Sequence, residues 1–294
     1  MANLKDIARQ INSVKNTAKT TKAMKLVSSA KLRKAQQLSE QSKSYATKIS
    51  GVLSEIAARV ALVQNDDNQS RAFTENKSPK VVDIVFVTSD KGLCGGFNMT
   101  TIKEVRTLIE QYSNEGVEVR LRAAGRKGID YFTFQGVEIL QKELGLSGAP
   151  TYDKAVKFIK SAFEDFNNEV TDKVIVIHNG FLNMLSQELK TQELLPISLD
   201  SVSIDETGSM LDIEPDDNEE VLEELTSKYV DFTMYYSLID SLAAEHSARM
   251  QAMDNATSNA NDRVKDLTVE YNKARQAAIT TELIEIISGV EAQK

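Results

Sequence analysis

The stretch LIDSLAAEHSARMQAMDNATSNANDRVKDLTVEYNKA (residues 238–274) has no proline or glycine and places apolar or small residues at a seven-residue spacing. These residues are part of two longer series with the same seven-residue spacing, which we call heptad rows. One runs from Leu222 to Ala278 and the other from Leu225 to Ala274. Such rows line one side of an α-helix and are typical of a coiled coil. We therefore predict one helix over residues 219–294, about 100 Å long, and the acidic run after Pro215 favours its start.

The N-terminal part of the chain carries the same kind of pattern. Its two rows begin at Leu4 and Ile7, no proline precedes Pro79, and the first glycine is Gly51. These features predict a helix from about residue 3 to residue 60, about 85 Å long. The rows are not apolar between residues 17 and 29, which predicts weaker burial there and outward-facing Lys19, Lys22 and Lys25.

Two helices with apolar stripes bury those stripes most simply against each other. The segment between them must return the chain, so the pair is expected to be antiparallel, and a sustained heptad repeat gives it a left-handed supercoil. The C-terminal helix is the longer one, and it should overhang by about 15 Å. The overhang, ITTELIEIISGV (residues 279–290), is rich in aliphatic residues, namely Ile279, Leu283, Ile286, Ile287 and Val290. We expect this tip to lie inside another protein, and the alternative is a frayed, exposed tail.

The middle of the chain has a different pattern of apolar residues. Strands are predicted at 81–88, 117–123 and 174–178, and helices at 99–113 and 152–168, which together indicate an α/β domain with a mainly parallel sheet. The fold class is thus α/β, with a long antiparallel left-handed coiled coil of N- and C-terminal helices and an inserted Rossmann-like domain. The predicted segments are helix 1–62, linker 63–79, α/β domain 80–200, acidic linker 201–218 and helix 219–294.

Charge and composition indicate which partners the protein could have and exclude an internally disulfide-bonded or membrane-spanning chain. The net charge is −8, yet residues 1–50 hold 11 Lys or Arg against two acidic residues (+9), and residues 200–225 hold 11 acidic residues and no basic one (−11). This asymmetry favours charged partners at different ends, although two solvated helix faces would look the same. The chain has one cysteine, so an internal disulfide is excluded. No run of apolar residues is long enough to cross a membrane.

The stretch VVDIVFVTSDKGLCGGFN (residues 81–98) raises the question of a nucleotide site. A Walker A loop needs Lys-Ser/Thr after its second glycine, and a dinucleotide fingerprint needs glycines that are absent at the required spacing. We interpret the loop as a tight turn between strand and helix, while phosphate binding by the amides of Gly95 and Gly96 remains the alternative. Cys94 is expected to be a packing residue. Neither His178 nor His246 has a partner at metal-ligand spacing, so no catalytic residue, metal or cofactor is predicted.

Three segments resemble a known family: IARQINSVKNTAKTTKAMKLVSSAKLRKAQ (residues 7–36), SDKGLCGGFN (residues 89–98) and EHSARMQAMDNATSNANDRVKDLTVEYNKARQAAITTELIEIISG (residues 245–289). They look like the gamma subunits of F-type ATP synthases, of the bacterial type. The resemblance implies a non-catalytic central rotor shaft that couples proton flow to ATP synthesis or hydrolysis. Its hairpin would lie in a ring of alpha and beta subunits, and its α/β domain would lie next to the epsilon subunit and the ring of c subunits.

The resemblance also implies positions of contact and a location. Lys22, Met24 and Lys25 would lie near acidic loops of the beta subunits, and Arg249, Arg275 and Gln276 would contact the beta subunits. The apolar tip, including Ile279, Leu283, Ile286 and Ile287, would turn in an apolar collar. The chain would be a peripheral protein at the cytoplasmic face of the cell membrane, held there only through the complex, with no nucleic-acid partner.

Three positions depart from the family pattern: Thr20, Lys25 and Asp254 stand where Ile, Glu and Lys are common. Lys25 and Asp254 have opposite charges and are candidates for a pair. Two other functions stay open at this stage. One is an enzyme that uses the α/β domain on nucleotides or phosphorylated substrates, and the other is a coiled-coil scaffold with no rotary role.

Overall fold

A computed structural model describes residues 4–63, 71–74, 76, 78–197 and 218–292 of the chain. The chain divides into two compact units, residues 1–29 with 249–294 (the coil unit) and residues 30–248 (the sheet unit). In chain order the elements are helix α1 (Leu4–Val63), a 3-10 helix (Arg71–Phe73), β1 (Val81–Val87), α2 (Phe97–Asn114), β2 (Glu118–Ala124), α3 (Arg126–Phe134), β3 (Gln141–Glu143), α4 (Tyr152–Asn167), β4 (Lys173–Phe181), β5 (Gln187–Leu195) and α5 (Asn218–Glu291).

The two long helices are confirmed. α1 has 60 residues and α5 has 74, because nothing in either stretch except the single glycines Gly51 and Gly289 interrupts helix formation. Most of the predicted linkers lies outside the described residues, including 64–70 of the first linker and 201–217 of the acidic one. The predicted helix start after Pro215 lies outside them as well.

In the coil unit, α1 and α5 run antiparallel and pack along the predicted seam. Their direction follows from two contacts, Thr21 Oγ1 to Thr257 Oγ1 at 2.7 Å and Lys25 Nζ to Asp254 Oδ1 at 2.6 Å. The buried seam residues are Ile7, Ala18, Thr21 and Ser28 on α1, and Met253, Ala260 and Leu267 on α5. The expected weak burial between residues 17 and 29 was therefore wrong at three seam positions, because small and hydroxyl side chains let the helices approach and bond.

The register of these contacts also gives the overhang of α5. Because the helices are antiparallel, moving one residue toward the N-terminus of α1 corresponds to moving one residue toward the C-terminus of α5. From the Thr21–Thr257 contact, Leu4 therefore lies opposite a residue near Arg275. The described residues beyond that level, up to Ala292, extend past the described part of α1 by about 25 Å. The predicted overhang is thus confirmed and is somewhat longer than expected.

The sheet of the sheet unit has the strand order β3-β2-β1-β4-β5. β1 pairs in parallel with β2 and β4, β2 pairs in parallel with β3, and β5 is antiparallel to β4. This order is that of a Rossmann fold with an antiparallel edge strand, so the predicted α/β domain with a mainly parallel sheet is confirmed. The direction of strand order reverses between β1 and β4, and that point is where such folds place their ligands.

Helices cover both faces of the sheet. α4 and the first part of α5 pack on one face, where Phe158, Ile159 and Val230 are buried against Val85 and Val176 of the strands. α2 and α3 pack on the other face around a second cluster of buried residues, which includes Ile84, Phe86, Ile102 and Phe132. Because both faces are covered, β1 and β4 read as continuous apolar runs.

Sequence reasoning missed α3, β3 and β5. β3 has only three residues, α3 carries a glycine at position 128, and β5 (QELKTQELL) is mostly polar because it lies at the edge of the sheet. Gly128 is needed where it stands, because a Cβ there would lie 2.6 Å from the Phe86 ring. β4 also continues three residues beyond the predicted end at His178.

A buried charge network ties the strands to α4. The carboxylate of Asp83 on β1, which is 0% exposed, accepts hydrogen bonds at 2.7 Å from both Arg120 and Arg122 of β2. Both guanidinium groups also donate to Asp165 of α4. Every charge therefore has an opposite partner, which is the condition under which buried charges are tolerated. Within the described ranges, no helix is long and apolar enough to span a bilayer.

Candidate functional site

All ten residues predicted to contact partners belong to the coil unit, and they lie at two levels along its axis. At the first level, Lys22 is exposed, Met24 is partly buried, and Lys25 forms an ion pair with Asp254 at 2.6 Å. The candidate pair of Lys25 and Asp254 is thus confirmed, and the Lys25 side chain, expected to face outward, is 38% exposed beside its partner. Arg249 is only 8% exposed, so little of it is available to another protein.

At the second level lie the other six predicted residues. The side chains of Arg275 and Gln276 are exposed. The four tip residues are also exposed, Ile279 by 50%, Leu283 by 54%, Ile286 by 57% and Ile287 by 62%. Such a run of exposed aliphatic side chains on one helical segment is typical of a surface that another protein covers.

The two levels do not form one site. Asp254, which marks the level of Lys25, precedes Arg275 by 21 residues on α5, and that separation is about 30 Å along the helix. A partner that contacts both levels must therefore be large, or more than one partner must be present.

Sequence reasoning missed several exposed aliphatic residues near these positions. Leu26 is 64% exposed and Val27 is 57% exposed, directly after Lys25 on α1. In the tip, Ile284 is exposed as well. A signal for Leu26 and Val27 exists in the sequence, because both are large apolar residues outside the two heptad rows.

The glycine-rich loop lies where a Rossmann fold would bind a nucleotide, at the point of reversal between β1 and β4. The crevice there is filled by the protein itself. Cys94 and Phe97 pack against Ala244 and Ala248 of α5, with Phe181 from the end of β4 beside them. Cys94 is therefore a packing residue, as predicted. The loop is also closed on itself, because Asn98 bonds the backbone amide and the hydroxyl of Ser89.

The backbone of the loop agrees in part with the predicted turn. Gly95 has a positive φ of 59°, as a tight turn requires, and so does Leu93, with a φ of 65°. Gly96 has an ordinary helical conformation and caps α2. The glycine at position 95 thus serves the turn geometry.

An internal carboxylate lies at the start of α3, the second place in this fold where an anion could bind. Asp90 Oδ1 accepts the backbone N–H groups of Arg126 and Gly145 at 3.1 Å, and Oδ2 accepts the hydroxyl of Ser147. The first amides of a helix attract anions, and here the chain supplies its own. Together with the filled crevice, this arrangement argues against a nucleotide enzyme.

A buried ion pair holds α5 to the sheet next to the filled crevice. Asp240 of α5 accepts hydrogen bonds from Lys190 Nζ of β5 at 2.6 Å and from the backbone N–H of Phe181 at 3.1 Å, and its Oδ2 lies 3.4 Å from His178 Nε2. Burial alone would raise the pKa of Asp240, but the hydrogen bonds from His178 and Lys190 outweigh it, so this pKa is lowered.

The two partners of Asp240 respond to burial in opposite ways. Burial would lower the pKa of Lys190, yet its hydrogen bond and attraction to Asp240 raise that pKa overall. Burial dominates at His178 and lowers its pKa, so the imidazole is neutral. A neutral imidazole beside a carboxylate donates its proton, which places that proton on Nε2. No His, Cys, Asp and Glu cluster suited to a metal occurs in the described part of the chain.

Comparison with known proteins gives a consistent result along the whole chain. The model of the ATP synthase family matches residues 3–293. The chain is 68% identical to the ATP synthase gamma chain of Aliarcobacter butzleri and 57% identical to that of Campylobacter concisus, each over 295 residues that cover 100% of both chains.

Two solved structures are similar in fold. One is from the mitochondrial ATP synthase of Euglena gracilis, in an assembly with OSCP, F1 and c-ring, with a TM-score of 0.66, 20% identity and coverage of 99% of this chain and 94% of that one. The other is from the central stalk and c-ring of the Tetrahymena thermophila mitochondrial enzyme, with a TM-score of 0.58, 23% identity and coverage of 81% and 99%. At these identities the likeness concerns the fold alone.

Proposed function

This chain belongs to the family of ATP synthase gamma chains, and on that premise we propose that its coil unit turns inside a ring of alternating alpha and beta subunits. The chain is a non-catalytic subunit, the central rotor shaft that couples proton flow through the membrane sector to ATP synthesis or hydrolysis at the beta subunits. The packing of Cys94 and Phe97 against Ala244 and Ala248 of α5 agrees with this role, because the shaft helix itself occupies part of the crevice beside the glycine loop.

The exposed aliphatic tip is the observation that carries the position of the coil unit in the ring. Ile279, Leu283, Ile286 and Ile287 are at least half exposed in the isolated chain, beyond the described part of α1. An apolar collar formed by several subunits would cover them without requiring directional bonds. Contacts that lack direction can be exchanged as the shaft turns, because burial of apolar surface depends on area rather than on orientation.

Two antiparallel helices also give the shaft an unequal cross-section. Three identical beta subunits around it would therefore meet different surfaces at any moment, and a ligand shifts an equilibrium only through such differences in interaction. In this proposal Lys22, Met24 and Lys25 lie near acidic loops of the beta subunits, with Lys25 engaged by Asp254 in the shaft itself. Arg275 and Gln276, both exposed, are available to the beta subunits as directional contacts.

We assign the sheet unit to the base of the complex, next to the epsilon subunit and the ring of c subunits. The chain would then be a peripheral protein at the cytoplasmic face of the cell membrane, attached through its partners.

Reconstitution tests the proposal directly. The chain is mixed with the alpha and beta subunits of its own complex, and the product is tested for a stable assembly with ATPase activity and for rotation of a bead fixed to the sheet unit. We expect stepwise rotation in one direction during ATP hydrolysis. A stable assembly that hydrolyses ATP while the bead stays still would reject the rotor role and favour a scaffold.

A further inference from the structure

We propose that Asp240 is the joint through which torque passes between α5 and the β4–β5 hairpin of the sheet. This inference rests on the proposed function, in which the sheet unit receives torque at the base and α5 carries it into the ring. It adds a specific place to that function, namely one buried carboxylate on the shaft helix.

Geometry distinguishes Asp240 from the other contacts of α5 with the hairpin. Its carboxylate, 2% exposed, is bonded to the ammonium of Lys190 on β5 and to the backbone of Phe181 on β4, with the imidazole of His178 beside it. Apolar contacts can slide because they have no preferred direction, whereas a charge-assisted hydrogen bond fixes both distance and angle. A helix held only by apolar packing would turn against the sheet more easily than one held by this carboxylate.

The sequence of β4 is adapted to this close approach. A Cβ at Gly180 would lie 2.5 Å from Lys190 Cε and 2.6 Å from Asp240 Oδ2. Both distances are far below any normal contact, so a side chain at this position would push the ion pair apart. Gly180 is not needed for a turn, since it lies within the paired part of β4. Its role is to leave space for the joint.

Two neutral links flank the joint along α5. Ser247 Oγ donates to the Met184 carbonyl oxygen at 3.0 Å and accepts from Gln187 Nε2 at 3.2 Å. On the other side, Gln192 Nε2 donates to the Tyr229 hydroxyl at 3.4 Å. Both links involve neutral groups, and neutral hydrogen bonds are weaker than the charged one. The hairpin therefore follows α5 over several helical turns, with a charge-assisted bond at Asp240 and neutral bonds on both sides of it.

A single-molecule measurement tests the joint in the complex of this chain with its alpha and beta subunits. A bead is attached through Leu185→Cys, an exposed site in the turn between β4 and β5, while the chain's own Cys94 is buried. During pauses at limiting ATP, the angular variance of the bead is inversely proportional to the torsional stiffness between ring and bead. The variants are Asp240→Asn and Lys190→Met.

The matched control is Lys173→Met. Lys173 lies on β4 and bonds Glu193 of β5 at 2.7 Å, so this variant loses an ion pair of the same hairpin that does not involve α5. We expect Asp240→Asn and Lys190→Met to raise the variance about twofold or more at an unchanged ATPase rate, and Lys173→Met to leave it unchanged, because only the first two release α5.

Equal variance in all variants, or an equal rise in the control, would overturn the joint while leaving the rotor function intact. If Asp240→Asn does not assemble, Lys190→Met, which changes a half-buried side chain, decides the question alone. A wild-type chain that binds the ring but does not turn the bead would overturn the rotor function, and the joint with it.

Discussion

Replacement of the four tip residues by glutamine should weaken assembly with the alpha and beta subunits and leave the folding of the free chain nearly unchanged. The variant carries Ile279→Gln, Leu283→Gln, Ile286→Gln and Ile287→Gln, and glutamine is chosen because it favours helix nearly as well as leucine. These side chains are 50–62% exposed in the isolated chain, so most of their apolar contact with other residues is still to be made. In the free chain they contribute little, and we expect a change in unfolding free energy below about 0.5 kcal/mol per site.

The expected effect on assembly follows from the same exposures. Complete burial of an isoleucine or leucine side chain is worth about 1.5–3 kcal/mol, so burial of the exposed half is worth about 1 kcal/mol or slightly more at each site. Four sites then contribute about 3–6 kcal/mol if the collar covers them all. Part of this is offset by the ordering of side chains on association, so we expect affinity for the alpha and beta ring to fall by at least about a hundredfold.

Competition between labelled wild-type chain and the variant for a limiting amount of alpha and beta subunits measures this affinity. The control variant changes exposed polar residues of the same turns, Glu282→Gln, Glu285→Gln and Ser288→Gln, and it should compete almost as well as wild type. The reasoning is refuted if the four-site variant competes within about twofold of wild type, since burial of this much apolar surface cannot be neutral. Loss of cooperative unfolding in the free variant would equally contradict a tip that is unpartnered in the isolated chain.

Three further predictions concern the free chain. Asp83→Ala should lower the unfolding free energy by about 3–5 kcal/mol in urea titrations, because it removes the fully buried carboxylate and leaves two guanidinium groups to share Asp165, and a loss below about 1 kcal/mol would contradict the network. A double-mutant cycle of Lys25 and Asp254, both partly exposed, should give a coupling below about 1 kcal/mol that weakens with salt, whereas salt-independent coupling would refute this. Because burial lowers the pKa of His178, the unfolded chain binds a proton at this residue before the folded chain does as pH falls through about 6.5, so His178 should make stability fall by up to about 1.4 kcal/mol per pH unit, with a smaller slope in His178→Gln. Equal slopes in the two proteins between pH 7 and pH 5 would argue against a neutral, buried imidazole.

The long helices were predictable because their signal is local and repeated. The heptad rows that begin at Leu4 and Leu222 continue for many turns, so occasional polar residues do not obscure them. The apolar strands β1 and β4 were predictable for a similar reason, since burial on both faces favours an apolar residue at most positions of the strand. The edge strands β3 and β5 lack that signal, and their assignment depends on neighbours that sequence alone does not reveal.

The candidate site was predictable only in its outline. The tip could be identified because its aliphatic residues leave the heptad stripe, and an apolar surface without an internal partner needs an external one. The pairing of Lys25 with Asp254 could be suspected from charge, but the burial of Arg249 could not. Burial depends on which residues lie across from a side chain, and residues that are distant in sequence determine that.

The sequence by itself determined the two helices, their heptad seam, the presence of an α/β domain between them and the family to which the chain belongs. Only the tertiary structure decided what happens at the crevice of that domain. Its glycine loop resembles part of a phosphate-binding loop, but Ala244 and Ala248 of α5 fill the crevice and Asp240 is bonded to the strands beside it. More than 140 residues separate Cys94 from Asp240, so no local pattern could bring them to the same end of the sheet. The physical reason is that the periodicity of a segment depends only on the secondary structure of that segment. A site depends on which helices and strands pack together, and these are distant in sequence.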